Sequence, residues 1–248
     1  MTQAPVIAVV GASGGVGTST LTAAVAVRAA TARRPVVAVD AEPLGGGLDV
    51  VFGLECAPGL RWPDLHTIRG RVDGEDLVAR LPAAADVPVL SFNRLAGPAP
   101  TAPVSGAVLA ALASGDRVAV VDAGRGSGPL AEQVLSAAHT VVLLVGNGVH
   151  DLAAAQVATE RLTDSDREAW LVVRCARRTG GWDSDDGLAT VAEALGLPLL
   201  ASFGDESAVE ADLLHGIPPG ERPRSALGRA ADRVLAGILL EPDLPEAS

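Results

Sequence analysis

The chain has 248 residues, 48% hydrophobic and 20% charged, with 28 Gly and 17 Pro, the profile of one compact globular domain rather than of a disordered or repeat-built protein. All 19 basic residues are Arg and there is no Tyr, which excludes lysine Schiff bases, a lysine general base, the usual phosphate-binding lysine and a tyrosine proton relay. The net charge of −11 is the wrong sign for neutralising a phosphate backbone, so no direct nucleic-acid partner is expected.

Strands are predicted wherever short Val/Ile/Leu runs occur without alternation, at 6–10, 36–39, 118–121, 141–145, 171–173 and 197–200. Continuous apolar runs of this kind are buried on both faces, as in a parallel sheet. Ala/Leu-rich helical stretches are predicted between and after them, at 19–31, 105–113, 130–137, 152–162, 187–195 and 226–239. Strands alternating with helices make βαβ units, so the expected fold is α/β, three layers, with a doubly wound and mostly parallel sheet. Ligands then belong at the carboxyl ends of the strands.

The stretch 44–103 is less regular, with Gly45-Gly46-Gly47, Trp62-Pro63 and Pro98, Pro100 and Pro103. It reads as long functional loops around one short strand near 89–92. No linker or repeat divides the chain, and a single domain over 1–241 with a frayed tail over 242–248 is expected.

Cys56 and Cys175 are 119 positions apart and the four His share no ligand spacing, so neither a disulfide framework nor zinc is indicated and a reduced, cytoplasmic setting is expected. No charged segment leads into an apolar one at the N-terminus, and neither secretion nor membrane insertion is expected. Trp62, Trp170 and Trp182 form no stacking ladder. Trp62 either packs beneath its loop or serves a dimer or partner surface.

The strongest chemical signal is Val9-Val10-Gly11-Ala12-Ser13-Gly14-Gly15-Val16-Gly17-Thr18-Ser19-Thr20, a strand entering a glycine loop that opens a helix. Successive glycines let backbone N–H groups face one concavity, and the helix N-terminus adds partial positive charge, so the expected guest is a phosphate. Two nucleotide classes fit. Gly11, Gly14 and Gly17 have the spacing of a dinucleotide loop, with Asp40 placed as a ribose-binding acid, which would make an NAD(P)-dependent oxidoreductase. The same residues also fit a P-loop.

Gly14, Gly15, Gly17, Ser19 and Thr20 match the deviant P-loop pattern of the ParA/MinD class, whose two lysine positions hold Ser13 and Thr18 here. Asp40-Ala41-Glu42-Pro43 resembles that family's D-x-D-P switch, and the strand ending at Asp122 resembles a Walker B strand. Gly59-Leu60-Arg61-Trp62-Pro63-Asp64-Leu65, Leu195-Gly196-Leu197-Pro198-Leu199 and Gly216-Ile217-Pro218-Pro219 extend the likeness over nearly the whole chain. On these motifs the chain resembles atypical ParA/MinD-like proteins of the CpaE/TadZ type, closest to actinobacterial CpaE-like or septum-site-determining proteins. Members of that group often carry an additional N-terminal domain.

The resemblance implies a MinD/ParA-like P-loop NTPase fold that binds ATP or ADP with Mg²⁺. Residues 13–20 would cradle the phosphates, Ser19, Asp40 and Asp122 would hold the metal, and Glu42 would orient attacking water. Arg174 would lie near the adenine. It further implies a homodimer that positions pilus-assembly or division proteins at the pole or septum, reaching the membrane at most through partners. The missing lysines point to weak or absent hydrolysis. Losing one preorganised charge-stabilising donor costs about 2.7–4 kcal/mol, roughly 10²–10³ in rate. Arg125, just beyond Asp122, is the candidate that could rescue an active ATPase. The segment 226–239 holds only two Arg, too few for a typical amphipathic membrane anchor, and is expected to be the last helix of the fold.

Overall fold

The computed structural model describes residues 5–68, 70, 72–93, 100–163, 168–175, 183–222 and 224–239. The expected tail over 242–248, together with Pro98 and Trp182, lies outside them.

Among the described residues, one eight-stranded sheet runs through the molecule. Its strands are β1 (Val6–Gly11), β2 (Val36–Asp40), β3 (Ala83–Ala84), β4 (Val87–Leu90), β5 (Val118–Asp122), β6 (Thr140–Gly146), β7 (Glu168–Cys175) and β8 (Leu199–Gly204), in the order β3-β4-β2-β5-β1-β6-β7-β8. Every pairing is parallel except β3 with β4. The strands β1, β2, β5 and β6 are buried along their whole length, which is why their sequences are continuously apolar rather than alternating.

Alternation survives in the faces that these residues serve. Val6, Ala8 and Val10 point to one core, built with Leu77 of α3 (Gly74–Ala79), Val108 and Leu112 of α4 (Ala102–Leu112), Val134 of α5 (Pro129–Ala137), Ala155 of α6 (Val149–Thr163) and Val191 of α7 (Asp185–Leu195). Ile7 and Val9 point to the other core, with α1 (Thr18–Thr31), Leu48 of α2 (Leu48–Val51) and Ala231 and Val234 of α9 (Ala226–Leu239). The result is the expected three-layer α/β/α arrangement with a doubly wound, mostly parallel sheet. The helix α1 is buried on nearly all sides because its Ala-rich surface lies between the sheet and α9, and Arg28 Nε donates to Asp232 Oδ1 of α9 at 2.7 Å. The segment 226–239 is therefore an integral helix of the fold.

The structure departs from the sequence reading where elements are short. Within 44–103 it adds α2, a 3₁₀ turn at Trp62–Leu65, α3 and the antiparallel β3. Elements of two to six residues show no resolvable period. The start of α3 is fixed instead by Asp73, whose Oδ1 accepts from the N–H groups of Glu75 and Asp76. The last strand begins at Leu199 rather than 197, because Gly196 ends α7 in the left-handed conformation and Pro198 has no N–H to offer a ladder. A helix not foreseen, α8 (Ser207–Leu214), follows that strand.

Candidate functional site: a glycine-loop cavity

β1 has β5 on one side and β6 on the other, the place where strand order reverses and a crevice opens at the carboxyl ends. The glycine loop leaves β1 here and enters α1. The N–H of Gly11 donates to Gly124 O at 2.7 Å and that of Ala12 to Leu144 O at 2.9 Å, so both neighbouring strands anchor the loop's start. Its end turns through Gly17, at φ 103°, a conformation open to glycine and strained for other residues.

A cavity of about 810 Å³ opens over this loop. Ser13, Gly14, Gly15, Gly17, Thr18, Ser19, Thr20, Asp40, Glu42, Asp122 and Arg125, all singled out from sequence, line it together. Two others do not. The Val16 side chain is buried in the core beneath the loop, so only its backbone can serve a ligand. Arg174 faces a second cavity on the other side of the loop and donates to the carbonyls of Gly15 and Val16.

On the cavity floor the Ser19 hydroxyl hydrogen-bonds the Asp122 carboxylate, which also accepts from Gly124 N–H at 3.0 Å. Asp40 Oδ1 accepts from Glu42 N–H and Oδ2 from Leu48 N–H, both at 2.9 Å. Both carboxylates are 2% exposed. Burial, reinforced by the neighbouring Asp122 charge and only partly offset by the two N–H donors, pushes Asp40 up to about 7. Burial also raises Asp122, against the lowering effect of Ser19 and Gly124. Two carboxylates that resist joint ionisation, with a hydroxyl beside them, form a donor set suited to a hard divalent cation. Mg²⁺ is commonly held by one or two carboxylates plus substrate phosphates rather than by an all-protein cage, and no larger metal-binding cluster exists among the described residues.

Glu42 Oε1 accepts from Leu44 N–H at 3.2 Å, and its carboxylate lies over Gly124, where a Cβ would collide with it. Thr18, in one lysine position, sets its hydroxyl against Gly11. Ser13, in the other, donates to Asp151 Oδ1 of α6 at 2.5 Å, tying the loop to the β6–α6 turn through a neutral hydroxyl. Arg125 is exposed on the cavity wall with no ion-pair partner among the described residues.

Trp62 is fully buried, and its indole N–H donates to the Asp40 carbonyl at 2.7 Å. It packs beneath its loop and braces the end of β2 rather than serving a surface. Sequence reasoning did not foresee Asp151, Asp205 or the part of the cavity wall formed by Gly124 and residues 127–131. Asp151 carried a faint signal, as an acid in the first turn of a helix after Gly146-Asn147-Gly148.

The strand order separates the two nucleotide readings. A dinucleotide fold places the second strand beside the first, so that its terminal acid reaches the ribose. Here β5 lies between β1 and β2, and Asp40 pairs in register with Asp122 of β5. The fold is that of the ParA/MinD P-loop NTPases. A ParA family ATPase from Chlorobium tepidum superposes with a TM-score of 0.74 at 18% identity, covering 96% of this chain and 99% of that one. MinD from Pyrococcus horikoshii, complexed with Mg-ADP, gives 0.72 at 21% identity over 96% and 99%. A MinC:MinD complex from Aquifex aeolicus gives 0.71 at 18% over 94% and 96%.

No family profile matches the chain. In sequence it is 38% identical over 234 residues to uncharacterized proteins from two strains of Mycobacterium tuberculosis. The match covers 94% of this chain and 63% of each relative, so the chain spans less than two thirds of their length. No helix among the described residues is long and apolar enough to cross a membrane.

Proposed function

We propose that this chain binds ATP or ADP as the Mg²⁺ complex and acts as a nucleotide-responsive positioning scaffold of the MinD/ParA type, with weak or absent hydrolysis. The observation that carries the reading is the convergence of Ser19, Asp40 and Asp122 beneath an open glycine loop whose lysine positions hold Ser13 and Thr18. The loop's N–H groups and the start of α1 receive phosphate oxygens, and Ser19, Asp40 and Asp122 hold the cation. When bound, Mg²⁺ neutralises phosphate charge in a cavity that already carries three carboxylates. Solved neighbours described as bound to Mg-ADP or to MinC support the kinds of ligand and partner inferred. By the same analogy the scaffold is a cytoplasmic homodimer that places division or pilus-assembly proteins at a septum or pole, the CpaE/TadZ role.

Calorimetric and thermal-shift titration with Mg·ATP, Mg·ADP, NAD(H) and NADP(H) tests the reading, since a ligand of the folded state raises its stability. Selective stabilisation by the adenine nucleotides, abolished in Gly17→Arg, is expected. A response to none of them would sink it.

A second reading, an ATPase rescued by arginine, rests on Arg125, exposed on the cavity wall. Phosphate release that is measurable in the wild type and lost in Arg125→Ala would favour it over the scaffold.

A further inference from the structure

Arg174 stands at the carboxyl end of β7, in register with Gly146 of β6 and Phe203 of β8. Its Nε donates to Asp205 Oδ1 at 2.7 Å, while Nη1 donates to the carbonyl oxygens of Val16 at 2.9 Å and Gly15 at 3.3 Å. A Cβ on Gly17 would come within 3.2 Å of the same nitrogen, so the guanidinium is packed directly behind the loop.

In a trans peptide the C=O and N–H point to opposite sides. Carbonyls 15 and 16 turned toward Arg174 therefore turn the N–H groups of Val16 and Gly17 away from it. None of the N–H groups of Gly14–Gly17 has a protein acceptor among the described residues. Successive free N–H groups on one side of a loop constitute an anion nest.

We propose that Arg174 is a positioning residue that fixes the peptide planes of the nest from behind, supplying through geometry part of what the absent lysines would supply through charge. The proposal rests on the reading of the loop as a phosphate site. The planar fork of arginine suits the task, with one edge on the Asp205 carboxylate and one nitrogen shared between two carbonyls. The ammonium of lysine has no such fork. The competing role is a direct contact with the base, because Arg174 also lines the second cavity, of about 450 Å³, with Phe203 and Leu227.

The test titrates the wild type, Arg174→Ala, Arg174→Lys and Asp205→Asn with Mg·ATP and with Mg·tripolyphosphate, which has no base. Amide hydrogen exchange over residues 14–17 is followed in the ligand-free proteins. Expected is a parallel loss of tenfold or more for both ligands in Arg174→Ala, with faster exchange at Val16 and Gly17. Arg174→Lys should not restore the affinity, and Asp205→Asn should show a smaller loss of the same kind. Weakened ATP binding with unchanged tripolyphosphate binding would assign Arg174 to the base and overturn the proposal, as would unchanged exchange. If the wild type binds neither ligand, the phosphate reading fails on its own account. Exchange then decides alone whether Arg174 orders the loop.

Discussion

Asp40 concentrates the chemistry of the site in one side chain. It ends a buried strand, faces Asp122 and holds two backbone N–H groups, yet its carboxyl is pushed up to about 7 by burial and by that neighbour. Because the folded state holds this proton more tightly than the unfolded chain, the linked stability is full below pH 3.8 and is lost as pH rises to about 7. In EDTA, wild type should lose stability relative to Asp40→Asn across that window, by roughly 4 kcal/mol at the upper bound. Urea melts of both proteins at pH 4.5 and 7.5 measure this, and equal slopes would refute it. The same linkage makes cation uptake release a proton, so affinity for Mg·ATP should rise between pH 6 and 8. At the adjacent lysine position, Thr18→Lys should tighten Mg·ATP binding at least tenfold, about 1.4 kcal/mol. Calorimetry reads that directly, and unchanged affinity would mean the loop does not present position 18 to phosphate.

Among the elements, α9 closes the layer over α1 and its contacts divide cleanly by kind. Leu227 is 2% exposed at its start, between the sheet side and the second cavity, so Leu227→Ala should cost about 2–4 kcal/mol. Asp232→Ala removes the half-exposed partner of Arg28 and should cost less than about 1 kcal/mol. Denaturant midpoints of the two variants should differ accordingly, and equal midpoints would show that α9 is held by its ion pair.

The central strands and long helices were legible because their burial is uniform enough to leave unbroken apolar runs, as at Val6–Gly11, and periodic ones, as at Asp185–Leu195. The short elements between Leu44 and Leu90 were not, since their positions depend on single caps such as Asp73 and on Trp62 reaching Asp40. The cavity lining was readable in Ser19, Asp40 and Asp122, whose spacing forms a motif. The contact of Arg174 with the carbonyls of Gly15 and Val16 was not legible, because which surface of a loop a strand-end side chain meets depends on sheet order, and residue spacing does not carry that order.

For the molecule as a whole, sign of charge matters more than any one contact. The cavity sets Asp40, Glu42 and Asp122 against a single lining guanidinium, that of Arg125, in a chain of net charge −11. A bare polyphosphate is therefore repelled, and removal of divalent cation with EDTA should abolish nucleotide binding rather than merely weaken it. Retained binding in EDTA would show that arginines alone satisfy the phosphates. The same charge predicts that a 50-base-pair duplex is not retained at 150 mM salt, as counterion release has no basic surface to work with. Gel-shift titration measures this.

The pairing of β1 with β5 and β6 also governs how the chain is made. Residues 6–11 leave the ribosome long before their partners at 118–122 and 140–146. Until β5 has been synthesised β1 has no permanent neighbour, and until β6 follows, its second edge stays open to wrong pairing. Parallel sheets of such long-range connection are slow to close and expose sticky intermediates. Expression yield in this protein should accordingly depend on how quickly the ribosome reaches β6, and a translational pause placed before codon 140 should cost more soluble product than one placed after it.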